Sequence, residues 1–135
     1  MPASNAPCAL VVEDHPILLM DVCDILEEAG FRCLAASNAD RAKAILPEHG
    51  DRIVLFFSDV DMPGDTDGFA LARHVAEGWP HIEIVIASGR VTPGDGDMPD
   101  KATFIRKPFS AAMVYHHLQA KLPNDEMPEP LRHAI

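Results

Sequence analysis

Apolar residues along this chain concentrate in five short segments, at residues 8–12, 31–36, 53–58, 82–87 and 103–106. Between them the apolar positions recur every three or four residues. Residues 16–29 carry Ile17, Met20, Cys23, Ile25 and Leu26, and Gly30 ends the segment. Asn38 is a suitable N-cap for a helix through Ala39, Ala42, Ala44, Ile45 and Leu46, ending near Pro47. Phe69, Leu71, Ala72, Val75 and Ala76 give a third helix, closed by Gly78 and Pro80. Ser110 caps a last one through Met113, Val114, Leu118 and Leu122. Strands that are apolar without interruption are covered on both faces, which requires a parallel sheet. Alternation of strand and helix requires right-handed crossovers. The pattern predicts a three-layer α/β domain of five strands.

Charged side chains gather where these strands end. Glu13 and Asp14 follow the first run, Asp59 follows the third, and Lys107-Pro108 follow the fifth. Ligands and chemistry in open α/β sheets sit at the carboxyl edge of the strands. Acids after two strands and a cation after a later one suggest a pocket for a metal and a phosphate, with Asp59 as the reactive group. Taken singly, Glu13-Asp14 reads as a solvated strand end, Lys107-Pro108 as a turn and Asp59 as a cap.

Composition narrows the function. The chain has 135 residues, enough for one domain and too few for two. A formal net charge of −10 repels nucleic acid and anionic membrane, so neither is an expected partner. No stretch approaches the roughly 18 apolar residues of a membrane span. The first residues lack the basic and apolar regions of a signal peptide. The three cysteines, Cys8, Cys23 and Cys33, are odd in number and lack C-x-x-C spacing, so they read as small buried hydrophobes in a reducing compartment. A cytoplasmic protein is expected.

The ordered set resembles the receiver domain of two-component response regulators. It comprises Glu13-Asp14, then Asp59, then Met62-Pro63, Ser88-Gly89 and Lys107-Pro108. The resemblance covers about residues 8–122. It implies a flavodoxin-like, doubly wound fold with strand order 2-1-3-4-5. It implies that Asp59 accepts a phosphoryl group, with Mg²⁺ as cofactor. Asp14 and Asp59 would be direct ligands, Glu13 would act largely through water, and Asp61 through its backbone carbonyl. Lys107 would pair with one phosphoryl oxygen and Ser88 with another. Phe104 would swing inward when Ser88 moves. The donor would be a sensor histidine kinase or a histidine phosphotransfer protein, and the downstream partner an unknown protein. Chemistry would be confined to the domain's own aspartate, with no turnover of a separate substrate.

Two other readings fit parts of the sequence. Asp59-Val60-Asp61 is similar to the D-x-D motif of haloacid-dehalogenase-like phosphatases, but those place that strand first and add a cap domain. A pseudo-receiver that binds without phosphorylation usually lacks one of the acids or the lysine, and this chain keeps them. Departures from the family pattern lie in the loops. Residues 62–68 form a loop one residue longer than is common. The region between Ser88 and Lys107 contains Pro93, Gly94, Gly96 and Pro99. The helix that usually lies there is expected to be short or irregular, because glycine costs about 1 kcal/mol and proline about 3 kcal/mol in a helix interior. The signalling face would then rest on Phe104, Arg106 and Tyr115. The receiver is expected over residues 1–123, as a stand-alone domain, with a flexible tail at 124–135.

Overall fold

A computed structural model describes residues 6–60, 67–89, 93–94 and 96–133. Five strands alternate with helices: β1 (Cys8–Val12), α1 (Pro16–Glu28), β2 (Arg32–Ala36), α2 (Ala39–His49), β3 (Ile53–Asp59), α3 (Gly68–Gly78), β4 (Glu83–Ser88), β5 (Thr103–Arg106), α4 (Ala111–Lys121) and α5 (Glu129–Arg132). The strands form one sheet of order β2-β1-β3-β4-β5, and every neighbouring pair is parallel. This is the flavodoxin-like order.

Strand alternation divides the core into two halves. Leu10, Val12, Phe56, Ile84 and Ile86 face α2 and α3, where Ala42, Leu46, Leu71, Ala72 and Val75 meet them. Ala9, Val11, Leu55, Phe57, Val85 and Ala87 face α1 and α4, against Val22, Leu26, Val114 and Leu118. Each fully buried Leu, Ile or Phe contributes about 1.5–3 kcal/mol. The central strands are buried at nearly every position, as a parallel sheet covered on both faces requires.

Helix starts follow the capping chemistry. Asn38, Asp67 and Ser110 each accept a hydrogen bond from the backbone N–H three residues on, at 2.8, 2.8 and 3.1 Å. α2 does not end at Pro47 but runs through it to His49. Leu46, fully buried, anchors that last turn against the sheet, and the packing overrides the proline's missing donor.

Between β4 and β5 the described residues contain no helix, only turns. Asp97 organises this stretch: its carboxylate accepts the Gly94 N–H at 2.7 Å, and its carbonyl accepts from Arg73 at 2.6 Å. Met98 packs on the core from there. Arg90, Val91, Thr92 and Asp95 lie outside the described residues.

The C-terminal segment differs from the expected flexible tail. Residues 124–126 form a turn of 3₁₀ helix and α5 follows. Met127 and Leu131 are 6% and 0% exposed, inserted into the core half that α1 and α4 cover. Gln119 donates to the Leu131 carbonyl at 2.9 Å. The prolines that argue against a helix stand at its start, where a missing N–H costs nothing. Pro128 and Pro130 pack on Gly30, which adopts φ +102° and leaves no room for a Cβ.

The cysteines also differ from one another. Cys8 is buried, whereas Cys23 and Cys33 are half-exposed. Among the described residues no helix is long and apolar enough to cross a membrane.

Candidate functional site

Three strand ends converge at the carboxyl edge of the sheet. Val12 at the end of β1 pairs with Ser58, which carries Asp59 into the next position. Asp59 pairs with Ala87 of β4, and Ser88 pairs with Arg106, the residue before Lys107. Glu13, Asp14 and Asp59 each place a carboxylate oxygen within 4.8 Å of the others. Glu13 and Asp59 are 4% and 8% exposed, while Asp14 faces solvent.

Local structure fixes each group. The Glu13 backbone N–H donates to the Ala36 carbonyl at 3.1 Å, holding the β1 exit against β2. One Glu13 carboxylate oxygen accepts the His15 backbone N–H at 3.2 Å. His15 in turn caps α1: its Nδ1 accepts the Leu18 N–H at 3.5 Å. Beyond Asp59, the Val60 N–H donates to Ala87 and the Val60 carbonyl accepts from Gly68 at 2.9 Å. A Cβ on Gly68 would lie 2.1 Å from the Asp59 carbonyl oxygen, so only glycine lets α3 start this close to the acid.

Lys107 closes the cluster. Its Nζ donates to Glu13 Oε1 at 2.8 Å and to Asp59 Oδ1 at 3.0 Å. Its backbone N–H donates to the Ser88 carbonyl at 3.0 Å. Burial pulls the lysine pKa down, but the hydrogen bonds and negative charges of Glu13 and Asp59 outweigh it, and the net shift is upward. The Lys107-Pro108 peptide is cis. Phe109 anchors that loop edge-on against Phe57, with ring centroids 5.6 Å apart. An open groove of about 860 Å³ runs from Glu13 and Lys107 along α1, past Leu18, Val22 and Ile25 to Phe109. On the same helix Ile17 and Met20 are 67% and 65% exposed.

The donor set suits a hard divalent cation. All three groups are carboxylate oxygens, and Mg²⁺ is commonly held by one or two carboxylates with its remaining positions taken by water and phosphate. Lys107 offsets one of the three negative charges, and a divalent cation in the cluster would offset the rest.

Of the residues expected at the site, Glu13, Asp14, Asp59 and Lys107 meet. Ser88 is 1% exposed at the end of β4, next to the strand position that pairs with Asp59. Asp61 and the loop at 62–66 lie outside the described residues. Phe104 is half-buried against the α2/α3 half of the core, with the Arg106 guanidinium 5.8 Å above its ring. Tyr115 does not share that surface. It packs in the opposite half of the core, and its hydroxyl donates to the Ile25 carbonyl at 3.0 Å, tying α4 to α1. His15 as a cap had no distinctive sequence signal beyond its place two residues after Glu13.

Comparison with known proteins agrees with this geometry. Residues 9–119 match the family model described as the response regulator receiver domain. The sensor protein TorS of Escherichia coli is 27% identical over 124 residues, covering 87% of this chain and 13% of that protein. The sensor kinase CckA of Brucella abortus is 31% identical over 114 residues, covering 79% of this chain and 12% of that one. The chain thus spans about an eighth of these two relatives. A response regulator receiver protein from Sinorhizobium medicae superposes with TM-score 0.78 at 25% identity, over 98% of this chain and 100% of that structure. With sheet order, acid cluster and lysine all in place, this chain belongs to the response regulator receiver domain family and is a receiver domain of a two-component signalling system.

Proposed function

We propose that Asp59 is the phosphoacceptor and that the domain takes a phosphoryl group in the presence of Mg²⁺ from a histidine kinase or histidine phosphotransfer protein. The observation that carries this is the ion-paired cluster itself: a buried carboxylate, two further acids and one lysine, at the strand ends of a receiver fold. One Asp59 oxygen is the nucleophile toward phosphorus, and the donor's imidazole nitrogen leaves with its bonding pair. The product is an acyl phosphate, for which a carboxylate is a competent nucleophile. Asp14 and Asp59 would hold Mg²⁺ directly, Glu13 through water and Asp61 through its carbonyl, and the ion would supply charge neutralisation. Lys107 leaves Asp59 to meet a phosphoryl oxygen, and the Ser88 hydroxyl meets another. Transfer then rests on positioning and electrostatic stabilisation.

Phe104 acts in this proposal as the aromatic that repacks when Ser88 moves, a two-state element biased by the new charge. The groove along α1, lined by Leu18 and Ile25, receives the donor's histidine-bearing helix, because it opens onto Glu13 and Lys107, the two residues of the acid cluster's ion pair. The output partner is a protein, and the acidic surface keeps the domain off nucleic acid and anionic membrane. We infer a cytoplasmic site of action.

Incubation with Mg²⁺ and a small acyl-phosphate donor tests the assignment by intact mass. One phosphoryl adduct is expected, absent when Mg²⁺ is chelated and absent in Asp59→Asn. An equal adduct on the Asn variant would move the acceptor elsewhere. A protein that binds its partner equally without any adduct would be a phosphorylation-independent module.

A further inference from the structure

The three thiols are sorted by the sheet. Cys8 belongs to the half of the core that α2 and α3 cover and is 6% exposed. Cys33 is in register with Ala9 on β2 and so faces α1, in the other half. Cys23, on α1, packs against that same half. Cys33 Sγ donates to the Cys23 carbonyl oxygen at 3.6 Å, which brings the two residues together between β2 and α1. Both are half-exposed, and β2 is the edge strand, so solvent reaches the pair from the margin of the sheet.

We propose that Cys23 and Cys33 are a reversible oxidation site, at which hydrogen peroxide converts the thiol pair into a disulfide joining α1 to β2. The two residues have unequal chemistry. The neighbouring Cys33 thiol holds the Cys23 thiol below its ordinary range, against the opposing effects of burial and of Glu27 and Asp24. The Cys23 thiol and burial together push Cys33 up. Cys23 is therefore the first nucleophile, because the thiolate is the reactive form. Its sulfur attacks one peroxide oxygen, the O–O bond breaks, and hydroxide leaves. The Cys33 sulfur then attacks the resulting sulfenic acid, the S–S bond forms, and a second hydroxide leaves. The Cys33 thiol proton and the proton lost from Cys23 convert the two hydroxides to water. The dithiol loses two electrons, and peroxide gains them. In a reducing compartment such a bond is transient, as befits a sensor rather than a structural staple. Val22, Asp24 and Ile25, beside Cys23, line the α1 groove, so the bond would pin the helix that carries it.

The full chain, reduced and then treated with hydrogen peroxide, is alkylated in denaturant and weighed. Loss of two hydrogens is expected, with a single alkylated cysteine that maps to Cys8. Cys8→Ser should still lose two hydrogens, and reductant should restore them. Cys33→Ser should instead trap a dimedone-reactive sulfenic acid on Cys23. Three alkylatable thiols after peroxide, a sulfinic acid in place of the disulfide, or a disulfide that includes Cys8 would each overturn the proposal.

Discussion

Lys107 shows how one residue sets the energy of the site. It is the cation shared by two nearly buried carboxylates. Lys107→Ala removes the ammonium that both acids share. Solvent reaches 23% of the lysine side chain, so the cost should fall below the roughly 3–5 kcal/mol of a fully enclosed pair, at about 2 kcal/mol. Chemical denaturation without metal measures it. Asp14→Asn should act the other way, raising the melting temperature without metal and weakening Mg²⁺ binding, because one of three repelling acids is gone. His117 offers a second case. Its ring hydrogen-bonds Thr103 at 2.7 Å, and burial, aided by Lys121, lowers its pKa below 6.5. Its folded-state contribution is therefore present above pH 6.5 and lost as pH falls through the lowered value. His117→Gln should flatten that part of the acid-side stability profile, read as the difference from wild type as pH falls below 6.5. The acids and the lysine could be found from sequence because each follows an apolar segment, and segment ends in parallel sheets share one edge. His15 and Asp97 could not, because their roles are hydrogen bonds to nearby backbone groups whose path no periodicity records.

At the scale of elements, the contact between β3 and α3 is the tightest constraint around Asp59. Gly68→Ala forces a Cβ onto the Asp59 carbonyl and the Val60 backbone. Backbone cannot swing aside as a side chain can, so the cost should reach about 3 kcal/mol. Thermal unfolding with and without Mg²⁺ would show the loss in both conditions. α1 separates recognition from chemistry. Met20→Glu puts a charge on a 65% exposed apolar position of the helix that lines the groove. Transfer from a phosphorylated donor protein should slow at least tenfold, while labelling by a small acyl phosphate should not change; equal slowing of both would remove α1 from donor recognition. Element boundaries were legible where capping side chains mark them, at Asn38 and Ser110. The passage of α2 through Pro47 was not, because the burial of Leu46 that sustains it is a tertiary fact. The packing of Tyr115 on α1 is hidden for a related reason: helical spacing gives a residue's own face but not the neighbour that face meets.

For the molecule as a whole, the sheet order and the two-sided core follow from five apolar runs and short connections, and they were readable. The C-terminal segment was not. Residues 124–133 carry prolines and charges that suit a tail, and the two apolar side chains that matter, Met127 and Leu131, are four residues apart with no longer pattern around them. Their value appears only against the space that α1 and α4 leave open. Leu131→Ala should cost about 2–4 kcal/mol, as for a buried leucine anywhere in the core. The same variant should lose amide protection at the end of α1 and in α4, measured by hydrogen exchange. Unchanged stability would mean that the segment rests on the domain without supporting it.

The seat of that segment also fixes its distance from the acids. Pro128 and Pro130 lie on Gly30, in the turn that leads into the amino end of β2, whereas Asp59 stands at the carboxyl end of β3. In a parallel sheet those are opposite rims. A fluorophore attached at Arg132 or His133, both exposed, therefore sits on the rim remote from the acids. Such a label should leave phosphorylation by a small acyl phosphate at the unlabelled rate. A linker inserted within residues 127–131 would instead unseat the core and should be read out as lost stability.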